Sequence, residues 1–350
     1  MQLLKELSEA SAPPGYEKEV REIAQRELAP LCDDVKIDNL GNVIGFKRGS
    51  APEGERKKVM LAGHMDEIGF YVKWVDDEGF VRLNPAGGFD PKTLIAKRVV
   101  LHCKDGQKRI GMIGTKPIHI MKDEEKKKMP TLDDLFVDLG LPGEQVKELV
   151  EIGTPVTTHQ EFLEWGDIAT GKCLDNRISV WSIIRGLQRL LEKGQPKHDI
   201  YAVMTVQEEV GVRGALVSAF GVEPDLGIAI DITLACDMPG VSAHEHITKL
   251  GKGVAIKVMD SYSISDRGLN NELRSIADQH SIPYQLEILP RGGTDAGGIQ
   301  RAGKGAKVTT LSVPCRYVHS VVETVSKTDL NACADLLAAY MFEGGNPQLV

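Results

Sequence analysis

Long apolar runs are missing from this 350-residue chain. Charged and turn residues interrupt every stretch before it could cross a bilayer, which excludes a membrane-spanning helix as its organising element. An excess of basic charge is missing too: the formal net charge is -8, so no positive field exists to hold a nucleic acid or an anionic lipid surface. The first residues, Met1-Gln2-Leu3-Leu4-Lys5-Glu6, lack the apolar core of a secretion signal, and a cytoplasmic protein is expected. Cysteine is sparse and scattered. Cys32, Cys103, Cys173, Cys236, Cys315 and Cys333 form no Cys-x-x-Cys pair, so reduced thiols are expected rather than a disulfide framework. No Gly-x-Ser-x-Gly elbow, Walker lysine or cysteine beside a histidine-base signature is present. Small-molecule or peptide chemistry remains.

Composition is that of an ordinary globular protein, with 42% apolar and 26% charged residues, and the length calls for one large domain and a smaller one. From Tyr16 to Leu31 apolar residues recur at helical spacing after Ala12-Pro13-Pro14-Gly15, which predicts an amphipathic helix. Asn39-Leu40-Gly41-Asn42 joins two short strands, and Lys58 to Gly63 predicts a buried strand running into His64. Between about Phe70 and Gly166 the pattern becomes short antiparallel strands and hairpins, with no helix expected before Thr131 and a solvated loop from Met121 to Met129. Strands and helices then alternate: a helix after Asp175, strands leading to Glu208, to Asp231 and toward His319, and a closing helix over Leu330 to Met341. The expected architecture is α/β, a sheet with helices on both faces, interrupted by a β-rich insertion. The domains are residues 1–69 with 167–350, and 70–166.

Acids and histidines sit where such a sheet gathers its ligands, in the crevice beyond the carboxyl ends of strands. His64 and Asp66 are two apart, so on extended backbone they share a side, and a carboxylate beside a ligating imidazole fixes its tautomer. Glu208 and Glu209 are adjacent; both reach one cavity only if the strand ends there, and Val210-Gly211-Val212-Arg213-Gly214 supplies the turn. Asp175 and Asp231 follow apolar stretches and taken singly read as helix caps; His319 taken singly reads as structural. Their sum is what two divalent cations sharing a bridging carboxylate would need. Arg291 to Gly298 is a glycine-rich turn suited to close approach of a peptide backbone, and His244-Glu245-His246 is expected to be plain loop. Two rivals are a glycosidase, disfavoured by the adjacency of Glu208 and Glu209 and by only 5% aromatics, and a metal-binding scaffold, which would have no need for Glu208.

Six ordered segments carry a family resemblance over nearly the whole chain: Gly63 to Phe70, Leu174 to Arg177, Gln207 to Ala215, Asp231-Ile232-Thr233, Gly292 to Ala296, and Arg316 to Ser320. The chain resembles the tetrahedral aminopeptidases, the dinuclear metallopeptidases that include bacterial glutamyl aminopeptidases, archaeal deblocking aminopeptidases and proteins once labelled cellulase M. The resemblance implies a mixed-sheet catalytic domain with an inserted, barrel-like dimerisation domain. It implies two divalent ions, zinc or cobalt, one held by His64, Asp175 and Asp231 and the other by Asp175, Glu209 and His319, with Asp175 bridging. Glu208 would be the general base and Asp66 the orienting acid, in removing the N-terminal residue of short peptides by a metal-activated water. Partners would be peptides with a free N-terminus and further copies of the chain, as dimers assembled into a tetrahedral dodecamer.

Overall fold

The computed structural model describes residues 1–348. Eleven strands form one mixed sheet, in the spatial order Asp34–Ile37, Val43–Lys47, Asp199–Thr205, Lys58–His64, Leu226–Leu234, Lys307–Arg316, Glu323–Ser326, Ile168–Gly171 and Leu163–Trp165. The remaining two, Val254–Met259 and Tyr284–Ile288, branch from Lys307–Arg316. Its centre is parallel: Asp199–Thr205, Lys58–His64, Leu226–Leu234 and Lys307–Arg316 all run the same way, so their carboxyl ends open on one side.

Alternation along these strands assigns the two faces. Val59, Leu61, Ala202, Met204, Ile228 and Ile230 join the larger core, beneath the helices Leu174–Lys193 and Lys327–Glu343. Met60, Ala62, Val203 and Ala229 point the other way, against the helices Arg213–Val222 and Asp295–Arg301. Because both faces are covered, the strands read as continuous apolar runs. Helices on both faces are as expected.

Strands Gly69–Val75, Val81–Ala86, Phe136–Asp138, Lys108–Gly114, Arg98–His102 and Pro155–Thr158 close into an antiparallel barrel with its own core of Phe70, Val72, Val99, Leu101, Val137 and Val156. The expected β-rich insertion is this barrel; Leu163–Trp165, after it, already pairs in the main sheet.

Four details depart from the sequence expectations. The first amphipathic helix is shorter, Lys18–Leu28, because its first turn yields to the Pro13–Gly15 turn. A further helix, Gln2–Glu9, precedes it and buries Leu3, Leu4 and Leu7. The segment after Met121 is exposed as expected but forms one short helix, Asp123–Lys126, whose N-terminal acids favour it. Asp231 does not lie past a strand end: Leu226–Leu234 continues beside Lys307–Arg316 for three residues beyond it. Pairing with Lys58–His64 stops at Ala229, so Asp231 lies in the crevice that opens there.

Candidate dinuclear metal centre

His64 is the last residue of its strand, and the backbone before it is packed so closely on Ser179 that Gly63 has no room for a Cβ. Its Nδ1 meets the backbone oxygen of Asp66 at 3.0 Å. That bond requires a proton on Nδ1 when the ring is neutral, which leaves the Nε2 lone pair free for a cation. The Asp66 carboxylate lies 3.5 Å from the same nitrogen, and its two oxygens accept the backbone N–H groups of Glu208 and Glu209 at 3.0 and 3.1 Å.

The strand Asp199–Thr205 ends before the paired glutamates, and Gln207 turns the chain with φ of 55°. This break lets two adjacent carboxylates serve one cavity. Asp175 has non-helical dihedrals at the head of the helix Leu174–Lys193. Its Oδ1 lies 3.3 Å from His64 Nε2, and its Oδ2 lies 3.4 Å from His319 Nε2. His319 Nε2 is also 3.6 Å from a Glu209 oxygen, and a Glu208 oxygen is 3.9 Å from His64 Nε2. The donors thus fall into two overlapping sets, His64, Asp175 and Asp231, and Asp175, Glu209 and His319, each with its ligand atoms within 4.8 Å of one another.

Electrostatics show what this arrangement needs. Burial, and then Asp175, push Glu209 up to about 8. Burial also holds Glu208 and Asp231 well above the usual carboxylate range. Burial works against the His319 imidazolium, but Asp175 and Glu209 raise its pKa to about 10. His64 is likewise raised despite burial, chiefly by Asp175 and Asp66. Burial first, and then the neighbouring carboxylates, favour the protonated forms of Glu208, Glu209 and Asp231, whereas the two imidazoles keep Asp175 ionised despite its burial. Glu209 Oε1 is buried with no hydrogen-bond partner. Hard oxygen and borderline imidazole donors, compressed and underneutralised, fit divalent cations.

Above this floor lies a cavity of about 470 Å³, with walls including Ile232, Leu234, Tyr262 and Leu289 and a rim at Arg291, Gly292 and Gly293. The glycine-rich turn therefore borders the site. Gly293 and Gly297 are small because Tyr262 packs directly on both. His244 and His246 belong to neither donor set.

One participant escaped the sequence reading. Glu323, buried on the strand after His319, accepts the N–H of Asp175 at 2.9 Å and of His319 at 2.8 Å, tying together two donors 144 residues apart in the chain. Its partners are main-chain groups, which leave no side-chain pattern to read.

The fold and this floor define a metal-dependent hydrolase. The profile of the M42 glutamyl aminopeptidase family matches residues 41–336, and the chain belongs to that family. It is a metallo-aminopeptidase, a hydrolase of peptides. The lysyl aminopeptidase of Pyrococcus furiosus is 36% identical over 355 aligned positions, 98% of this chain and 96% of that one. Aminopeptidase APDkam598 from the archaeon Desulfurococcus kamchatkensis superposes with a TM-score of 0.92 at 38% identity, covering 99% of this chain and 95% of its own. The TET1 peptidase of Pyrococcus horikoshii, described as able to assemble into a tetrahedron or a large octahedral shell, superposes at 0.86 with 32% identity and coverage of 98% and 99%.

Proposed function

We propose that the chain removes the N-terminal residue of short peptides by general-base hydrolysis at a two-cation centre. The observation that carries this reading is Asp175, whose two oxygens face two imidazoles brought from distant parts of the chain. Two divalent cations, zinc or cobalt, held by His64, Asp175 and Asp231 and by Asp175, Glu209 and His319, supply water activation and polarisation of the scissile carbonyl when bound. Glu208 takes the proton of the attacking water and returns it to the departing amine. Its side chain is only 12% exposed, and burial makes it a stronger base than a solvated glutamate. Asp66, by accepting the N–H groups of Glu208 and Glu209, keeps both carboxylates over the floor. A free peptide amine suits a cavity lined by carboxylates, and the apolar walls take side-chain atoms.

Aminoacyl-nitroanilides are expected to be hydrolysed, acetylated counterparts to be spared, and chelation to abolish turnover. Full activity in a metal-free sample, or equal cleavage of acetylated substrate, overturns the reading.

The likeness to the Pyrococcus horikoshii peptidase supports a proposal for assembly as well: the unit 70–166 makes dimer contacts, and dimers close into a tetrahedral dodecamer. Trp74, Ile110 and Met112 leave apolar surface on the barrel for such contacts. The expected mass by light scattering is that of twelve chains; a monomer at all concentrations refutes it. Six free cysteines and the absence, among the described residues, of any helix long and apolar enough to cross a membrane are compatible with a place in the cytoplasm.

A further inference from the structure

The segment from Val206 to Gly214 carries both glutamates of the site, yet its backbone is unfavourable. Gln207 and the β-branched Val212 have φ of 55° and 49°, and Gly211 has 120°. Left-handed backbone of this kind persists only where the surroundings hold it. Within the loop, the N–H groups of Gly211 and Val212 bond to the backbone carbonyl of Glu208, and Gly214 N–H bonds to the backbone carbonyl of Val206 at 3.0 Å, closing the stem. The stem's other two groups face Asn42.

Asn42 lies in the turn between the strands Asp34–Ile37 and Val43–Lys47 and is fully buried. Its Oδ1 accepts the N–H of Val206 at 2.9 Å, and its Nδ2 donates to the oxygen of Gly214 at 3.1 Å. The side-chain amide thus occupies the place of a neighbouring strand's peptide group, bonding one end of the loop with its acceptor and the other with its donor. Gly214 has no room for a Cβ, because Asn42 Oδ1 and the Val206 oxygen fill that space. Asn42 is itself held: Asp38 accepts Asn42 Nδ2 at 2.6 Å and the backbone N–H groups of Leu40, Gly41 and Asn42. Arg21 Nε bonds to the Gly41 oxygen at 3.0 Å. The tip of the loop is tied separately, by the Asp66 carboxylate.

We propose that Asn42 is a positioning residue for catalysis, fixing through the loop stem where the Glu208 carboxylate stands. The inference rests on Glu208 being the proton-transfer group. Asn42 touches no reacting atom; it acts by accepting the buried Val206 N–H and by sharing the Gly214 carbonyl with the Ser218 hydroxyl, 2.8 Å away, so that one side chain holds both ends of the loop in a single geometry. A base displaced by about 1 Å costs on the order of 10² in rate.

The test is a double-mutant cycle on the metal-loaded protein, with Asn42→Leu, Glu208→Gln and the pair. Asn42→Leu keeps the branched shape of the side chain and removes both hydrogen bonds to the loop, together with the one to Asp38. It is expected to lower kcat by about 10- to 10²-fold with KM and cation content unchanged. In the Glu208→Gln background the same change should cost less than about 3-fold, since a misplaced base no longer matters. An equal loss in both backgrounds, or a loss of cations that parallels the loss of rate, overturns the inference and makes Asn42 merely structural. If Asn42→Leu does not fold, Asn42→Asp carries the same cycle: it keeps the acceptor for Val206 and turns a carboxylate toward the Gly214 oxygen. Should Glu208→Gln itself leave kcat intact, the base assignment fails; should it lower kcat while Asn42→Leu remains additive, only the role of Asn42 fails.

Discussion

Glu208→Gln is expected to lower kcat by roughly 10²- to 10⁴-fold, the usual worth of a positioned proton-transfer group, while both cations and peptide affinity are retained. The substitution is nearly isosteric and removes a group that belongs to neither donor set. The backbone N–H that binds Asp66 is unchanged, so the loop keeps its anchor. Glu209→Gln should behave differently. It replaces an anionic donor 3.6 Å from His319 with a neutral one, so one cation is lost first and excess metal restores part of the rate. Metal analysis and kcat against added zinc or cobalt separate the two. Rescue of Glu208→Gln and not of Glu209→Gln by excess metal would reverse the assignment of the adjacent carboxylates.

The sequence revealed those features of the fold and site that leave a pattern in side-chain types. The apolar run from Val59 to Ala62 ends in His64, and the glycines after Glu209 announce a break in the chain, so both segments could be placed at the mouth of a parallel sheet. The hairpins of the insertion were legible for the same reason; their closure into a barrel was not, because it depends on pairing Gly69–Val75 with the distant Pro155–Thr158. Asp231 was misplaced relative to its strand end because strand length there is set by its neighbour Lys307–Arg316, not by its own residues. Glu323 and Asn42 stayed hidden although both are buried beside the site. Each bonds to main-chain groups, Glu323 to Asp175 and His319, Asn42 to Val206 and Gly214, and any residue type offers the same N–H and carbonyl. The helix Gln2–Glu9 did leave a trace, in the spacing of Leu3, Leu4 and Leu7, but it spans only eight residues and is held by packing on the larger core.

Cation loading is expected to release protons, and apparent affinity to rise with pH. A cation accepts ionised carboxylate and neutral imidazole. In the metal-free site, burial and Asp175 hold Glu209 at about 8, and the neighbouring carboxylates outweigh burial to hold His319 at about 10. Near neutral pH both therefore carry protons that binding must displace. The same shifts fix the sign of the stability change. Raising Glu209 above its ordinary 4.5 makes its ionisation costly to the folded state, a cost that grows as pH climbs to about 8. Raising His319 above its ordinary 6.5 contributes stability that is present below that pH and lost on approach to about 10. Both act in one direction, so chelated protein should lose thermal stability between about pH 6 and about pH 9. Asp175, lowered by the two histidines against the effect of burial, is already ionised throughout and adds no slope. Cations remove the repulsion among the carboxylates and stabilise by mass action, about 2.7 kcal/mol at a hundredfold excess over Kd for one site, so the gap in Tm between loaded and chelated protein should widen with pH. Calorimetry in two buffers of different ionisation heat counts the protons released, and thermal melts with and without chelator read the gap. Proton uptake on loading, or a gap that narrows as pH rises, would show that these carboxylates and imidazoles do not form the cation site.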